Sequence, residues 1–480
     1  MLLPVMSLST QMRRRALVVL CLLVLSFSVR ALTAEFMRPR LTDAGWFQFG
    51  TYAIFDNQAR DILDGRASVF WIDDPARTQA AVYPPDYALW LATIYKVSGQ
   101  RSVYVVQNVQ WVLDALSVLL VIGIGVTAFG WRVGLVTGGL SALSPLLALY
   151  GATPMADAPT SWIVLGSVWM FTLAAKRRSW RWALGAGLMI GASCWLRANA
   201  LLLAAFWALA LVFLLRGAWR ERLRLAGTAL AGALLLVAPI IIRNAVAFQA
   251  FLPTGLGVGT NLWEGIGETE RAAEFGAVYG DVNLIEQERA AMGLAPDAPL
   301  GLYWPDGVRR DRERARKSLS VIFSHPVWYA GVMMRRIRGS LNYAGDPSPF
   351  YGYTGINVTS EKCLPQRWQA GALALFVNLL GMAQSVWQHI ALLLMGGGVL
   401  LALRRDWRAS LLVLTTAFYY LVVGSFMHME IRYGLPMQAL LIVFAALAAS
   451  WAFEVVRDWL KRQDASQSEE QGRESPERQA

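Results

Sequence analysis

Charge is scarce in this sequence. Only 16% of its 480 residues are Asp, Glu, Lys or Arg, against about 25% in soluble domains. With 56% hydrophobic residues and a mean hydropathy of +0.41, the main solvent of the chain is a bilayer. Histidine and cysteine are scarcer still, with three of each. Three scattered His support no metal centre. Cys21, Cys194 and Cys363 form no CxxC or Cys/His spacing, which excludes a disulfide framework and a structural zinc site. HExxH, GxSxG and GxxxxGK[ST] are all missing, so the familiar zinc peptidases, α/β-hydrolases and P-loop ATPases recede. No solenoid or inverted-transporter repeat is visible. The net charge of +11 raises nucleic acid as a partner. The cationic clusters lie mostly between apolar runs of spanning length, however, where they act as topology signals and phosphate-facing groups.

What the sequence has is apolar runs. A membrane-spanning helix needs about 20 mostly apolar residues. Such runs occur at 16–32, 103–128, 133–149, 159–175, 182–196, 199–215, 225–242, 383–403, 409–425 and 435–455. The expected fold is an all-α, polytopic transmembrane bundle of about ten spans, the first a retained helix rather than a cleaved signal. Clusters "RRR" (13–15), "AKRRSWRW" (within 174–182), "RGAWRERLR" (216–224) and "RRDWR" (404–408) fall on one side when the spans alternate, and that side is cytoplasmic. The expected organisation is an N-terminal module, 1–242, with a first outer loop at 33–102. A large outer loop region at 243–370 follows, then C-terminal spans at 371–456 and a disordered cytoplasmic tail at 457–480.

The polar interruptions gather on the opposite face. In the first loop, "GWFQFGTYAIFDNQARDILDG" has the spacing of an amphipathic helix lying on the membrane surface from Trp46 to Leu63, stopped by Gly65. Acids in and around it are Asp43, Asp56, Asp73 and Asp74, and "YPPDY" turns the chain back with Tyr83 at its start. Asp157 sits in "TPMADAP", as a helix cap or a site acid. Arg197, in "CWLRANALL", breaks an apolar run, and an Arg near bilayer depth faces a polar cavity or an anion. Arg243 and Asn244 close a span, as interfacial anchors or site residues. "RRDRERARK" (309–317) has the alternation of a solvated helix face. "HPVWYAGVMMRRIRGS" is expected to form a further interfacial helix, with His325 in the turn before it. Last comes "HMEIRYGLP", with His428, Glu430, Arg432 and Tyr433 between two apolar runs.

In this order the pieces resemble the glycosyltransferase C superfamily, the polytopic membrane group of the protein O-mannosyltransferases and lipid A aminoarabinose transferases. Four stretches carry it: "FDNQARDILDG" with the "AAVYPPDYALWLATIY" re-entry, "MADAPT", "IRNAVAFQAFLPTGLGVGTNLWEG" and "HMEIRYGLP". The resemblance implies a bacterial inner-membrane enzyme acting on the outer leaflet. Its donor is a polyprenyl-phosphate-linked sugar and its acceptor a glycolipid, glycan or protein. No cofactor is implied, and divalent-metal dependence stays open.

It also implies a first-loop carboxylate as general base. Family members place that acid about one helical turn before the aromatic that opens the helix. Here Phe55 is the aromatic and Thr51 holds the acid's place, so Asp43 or Asp56 substitutes, Asp43 being favoured for its place after the first span. The implied substrate contacts are Tyr83, Asp157, Arg197, Arg243, Asn244, Asn261, Glu430, Arg432 and Tyr433. Among them, Arg432 binds the donor phosphate, Glu430 orients it through a salt bridge, and Tyr433 lines the lipid path. Two alternatives stand beside this one. A flippase or transporter would claim Gln107, Asn108, Gln110 and Asp114 of the second span, and a glycan ligase would use a diphosphate-linked donor.

Overall fold

The computed structural model describes residues 10–42, 47–48, 50–66, 83–341, 368, 370–428 and 430–474. Among them the regular elements are helices, with one isolated bridge between Gly301 and Trp304 and no strand. The protein is an all-α polytopic bundle, as its hydropathy dictates: a lipid-exposed backbone must satisfy its own hydrogen bonds.

The helices are α1 (Thr10–Met37), α2 (Thr51–Leu63), α3 (Asp86–Ser98), α4 (Val103–Phe129), α5 (Trp131–Leu143), α6 (Pro145–Gly151), α7 (Asp157–Arg177), α8 (Trp180–Leu196), α9 (Leu203–Leu214) and α10 (Trp219–Phe248). They continue as α11 (Val258–Gly267), α12 (Ala272–Phe275), α13 (Asp281–Ala291), α14 (Gly307–Ser324), α15 (Pro326–Leu341), α16 (Gly371–Ser425) and α17 (Leu435–Glu474). In the bundle, α1 packs on α4 and α5, α7 on α4 and α8, α8 on α10, α9 on α10 and α16, and α17 on α16 and α5. Backbones meet closely at glycine: a Cβ on Gly187 of α8 would lie 2.0 Å from the Ala229 carbonyl of α10.

The expected bundle of spans is present, with its apolar runs divided among long and shorter helices. Among the described residues six helices are long and apolar enough to cross a membrane, or seven if the bent pair α5–α6 is one span. The predicted spans 182–196 and 199–215 correspond to α8, of 17 residues, and to the apolar stretch Ala198–Leu214 of the same length. The runs 383–403 and 409–425 fall in one 55-residue helix, α16, interrupted by non-helical backbone at Asp406. The run 133–149 bends by 61° between α5 and α6. Pro145 has no N–H to give the Ser141 carbonyl, and Arg30 of α1 supplies donors instead: Nη1 reaches the carbonyls of Ala142 at 2.8 Å and Ser141 at 3.3 Å.

Asp114 balances Arg30 at 3.0 Å and accepts from Trp162 Nε1 at 2.7 Å. Gln107 donates to the carbonyls of Ala34 and Ala152, and Gln110 to those of Tyr150 and Thr153. The buried polar groups of α4 therefore hold the broken span in place.

Between α10 and α16 the helices α11–α15 form a separate small core around Leu262, Trp263, Ile266, Ile322 and Tyr329. Here the solvated-face expectation for "RRDRERARK" is corrected. Arg310, Asp311 and Arg314 of α14 are buried. Both Arg pair with Glu288 of α13, and Asp311 accepts from the N–H groups of Gly257 and Thr260 at the start of α11. Burial would raise the Glu288 carboxyl, but Arg314 and Arg310 hold it below the usual range. These three buried charges are an internal cross-link, while Arg309, Arg312, Glu313, Arg316 and Lys317 stay on the exposed face.

The surface helix begins at Thr51 rather than Trp46, and Gly65 follows it at φ +73. His325 caps α14, directly before Pro326 opens α15. Of the expected disordered tail, residues 457–474 continue α17 as helix to Glu474, and 475–480 lie outside the described residues.

Candidate active site

Opposite the cationic loops, four helix ends bring distant charges together. Asp157 opens α7, yet it does not cap it. Its two carboxylate oxygens instead accept from Nη1 of Arg197, just past the end of α8, each at 2.6 Å. The Arg197 guanidinium lies 4.9 Å from the centre of the Tyr433 ring, and that of Arg432 lies 5.3 Å from the same ring. Tyr433 thus carries two cations beside its π-system. Arg432 pairs with Glu430, its Nη1 reaches Met155 Sδ at 3.5 Å, and the Tyr433 hydroxyl donates to Glu430 at 3.2 Å. The Glu430–Arg432 ion pair expected from the sequence is present.

Burial works to raise the Glu430 carboxyl, but Arg432 and then His428 outweigh it and hold it down at about 2. The two cations thus favour the carboxylate form of Glu430. His428 couples this turn to α11: its N–H donates to the Asn261 carbonyl at 2.9 Å, and its Nδ1 contacts Glu268. The Asn261 amide donates to Gly257 O at 2.7 Å, so Asn261 joins the helical loop to the turn. Tyr83 stands among the same charges. Burial pushes its hydroxyl up, with Arg197 opposing, and its ring packs 4.9 Å from that of Phe55.

Arg243 and Asn244 end α10 in different roles. Asn244 spends both amide hydrogens on the carbonyls of Leu252 and Thr254, at 2.9 and 3.0 Å, which folds the following chain back. Arg243 donates to Asn244 Oδ1 at 2.9 Å, is buried, and leaves Nε without a partner. Among the described residues no carboxylate lies within ion-pair distance of it.

The two first-loop acids diverge. Asp43 lies outside the described residues, as do Asp73 and Asp74. Asp56 accepts from Tyr95 at 2.7 Å and from Arg101 Nε at 3.1 Å, and Tyr95 in turn bonds Tyr52 at 2.8 Å. That network ties α2 to α3 and to the start of α4.

Sequence reasoning missed a second acidic group. Glu264 of α11 is buried beside Asp281, which opens α13. Burial, and then the neighbouring Asp281 carboxylate, push Glu264 up to about 7. The available signal was an acid on the apolar face of an amphipathic helix, between Trp263 and Ile266. Asp86, in the first turn of α3, was also passed over. Burial pushes its carboxyl up to about 6. Among the described residues no group of three or more His, Cys, Asp or Glu is arranged to hold a metal ion.

Residues 82–242, which include Tyr83, Asp157 and Arg197, match a family model described as dolichyl-phosphate-mannose-protein mannosyltransferase. No curated protein matches. Among solved structures the chain is similar to the Archaeoglobus fulgidus oligosaccharyltransferase in its apo form. Identity there is 15% and the TM-score 0.47, over 92% of this chain and 52% of that one. The same enzyme in complex with an inhibitory peptide and a dolichol-phosphate gives 14% and 0.47, over 86% and 47%. The chain spans about half the length of these structures. Over residues 82–242 the protein carries the pattern of a mannosyltransferase family of the membrane glycosyltransferase C type, the superfamily that its loop and turn motifs resemble.

Proposed function

We propose that the protein transfers a sugar from a polyprenyl-phosphate carrier to an acceptor hydroxyl at the end of the bundle that bears Arg197, Arg243 and Arg432. The observation that carries this is Arg243. Among the described residues its Nε has no partner and its guanidinium no counter-ion, and a buried guanidinium in that state is costly unless an anion completes it. Arg197 and Arg432 already have Asp157 and Glu430. A phosphate beside Arg243 is the missing negative charge, and a planar guanidinium can hold it through two parallel hydrogen bonds. The family description adds a lipid-phosphate sugar as donor and a protein as acceptor. We take over the donor class and leave the acceptor as glycolipid, glycan or protein.

Catalysis rests on three contributions. The cations stabilise charge developing on the departing phosphate, Tyr83 and Tyr433 line the approach, and a carboxylate removes the acceptor proton. For the last role we favour Asp43 over Asp56. The Asp56 carboxylate is already engaged by Arg101 and Tyr95, whereas Leu41 and Phe47, on either side of Asp43, pack into the cluster that holds Phe55 and Tyr87. The chemistry would face the outer leaflet of a bacterial inner membrane, since the Lys- and Arg-rich loops lie at the other end. A transporter would need mobile polar groups along its path. Gln107, Gln110 and Asp114 are instead bound to the backbone or to Arg30.

The test is transfer from a sugar on a polyprenyl monophosphate to envelope acceptors, using membranes in which insertion has been checked. Arg243→Gln is expected to lower transfer by about 10²-fold, the usual cost of removing one charge-stabilising donor. Unchanged transfer by this variant, or turnover only with a diphosphate carrier, overturns the proposal.

A further inference from the structure

The cationic end of the bundle carries a site that sugar transfer does not use. A cavity of about 360 Å³ opens between the ends of α4, α7 and α9 and the interruption of α16 at Asp406. At its rim stand Lys176, Arg178, Arg216 and Arg408, and among the described residues Asp406 is the one lining carboxylate. Its floor is apolar, made by Phe129, Phe171 and Leu412 among others.

The rim cations are only partly compensated. Arg216 reaches Asp406 at 3.3 Å, and Asp406 also accepts from the Ala409 N–H at 3.2 Å, so one acid serves two donors. Arg178 is 3.6 Å from Glu221, too far for a hydrogen bond, and its buried Nη1 has no hydrogen-bond partner among the described residues. Its backbone takes φ +56 at the C-cap of α7, a left-handed position that glycine normally fills. Lys176 donates to Thr127 O at 2.7 Å, which leaves two ammonium hydrogens for a ligand.

The level of the cavity in the bilayer follows from tryptophan. Trp131, Trp180, Trp219 and Trp407 are 41%, 45%, 54% and 49% exposed, and each stands at a helix end or break beside the cationic loops. Exposed Trp at helix ends marks the headgroup region. A cationic rim at headgroup depth above an apolar floor matches one chemistry, a phosphate with an acyl chain attached.

We propose that this cavity binds an anionic phospholipid of the adjoining leaflet, the phosphate at Arg178, Arg216 and Arg408 and the acyl chain along Phe129 and Phe171. A soluble phosphate ester would lack any use for the floor, and a zwitterionic lipid would bring its own cation to the rim.

The full chain in mixed micelles, analysed by native mass spectrometry, tests this with phosphatidylglycerol and phosphatidylethanolamine of equal chain length. Phosphatidylglycerol should be retained preferentially. Arg178→Gln and Arg408→Gln should each weaken it about fivefold, the effect of one basic residue at an anionic surface. Asp406→Asn, which keeps a capping oxygen, should tighten it. Arg220→Gln, an exposed cation of the same end outside the cavity, should change nothing. Equal retention of the two lipids overturns the proposal, as does an Arg220→Gln effect matching that of Arg408→Gln. Displacement of phosphatidylglycerol by millimolar glycerol phosphate would make this a free-phosphate site and equally overturn it.

Discussion

Glu264 gives the most direct test of the electrostatics of the loop helices. Burial and the nearby Asp281 raise its carboxyl from 4.5 to about 7. Between those two pH values the folded protein holds a proton that the unfolded chain has released. The stability of the folded state is therefore fully retained below about pH 4.5 and is lost progressively as pH rises through 7. Each tenfold difference in proton affinity between the folded and unfolded states is worth ~1.4 kcal/mol, so ionisation of Glu264 leaves the folded state about 3 kcal/mol less stable than a permanently neutral group would. Glu264→Gln mimics the protonated form at every pH. In thermal unfolding of nanodisc-embedded protein, wild type and variant should be alike near pH 4.5. From pH 5 to 8 the wild type should fall progressively below the variant, with a midpoint of unfolding several degrees lower at pH 8. Asp281→Asn should narrow this divergence only in part, since burial is the larger cause. Parallel pH profiles for wild type and Glu264→Gln would refute the reasoning and return Glu264 to ordinary titration.

Three further outcomes are expected. Asp114→Ala strands Arg30 in the bundle at a cost of about 3–5 kcal/mol, so the yield of folded protein should collapse; Arg30→Met with Asp114→Leu should recover part of it, read by size exclusion in detergent. Arg432→Lys should lower sugar transfer with insertion intact, because an ammonium cannot hold Glu430 while covering the Tyr433 ring; unchanged kcat/KM would reduce Arg432 to an anchor. Asp56→Asn should lower the unfolding temperature yet keep transfer, whereas Asp43→Ala should abolish transfer without destabilising the chain, and the opposite pattern would exchange their roles.

Much of the site was legible because charge inside an apolar run has few innocent explanations. Asp157, Arg197, Glu430, Arg432 and Tyr433 each interrupt or flank such a run, and the structure brings all five together. The same logic pointed to Gln107, Gln110 and Asp114 but left their purpose open, because hydropathy cannot show that the break at Pro145 frees carbonyls for Arg30, which Asp114 balances, or that the carbonyls of Tyr150, Ala152 and Thr153 face Gln107 and Gln110. In the loop helices the signal reverses. Charges are ordinary there, so "RRDRERARK" has the pattern of a solvated face although three of its members are buried, and Glu264 and Asp281 passed unnoticed.

By itself the sequence determined the all-α membrane architecture and the end of the bundle where polar residues collect. Both follow from the energy of moving single residues between lipid and water, which is local information. Pairing is not local. Which side chain answers which guanidinium depends on segments far apart in sequence: Met155 and Arg432 are 277 residues apart, Arg132 and Glu454 322. Only the tertiary structure could decide that Asp157 serves Arg197, that Glu430 serves Arg432, and that Arg243 has no carboxylate within ion-pair distance among the described residues.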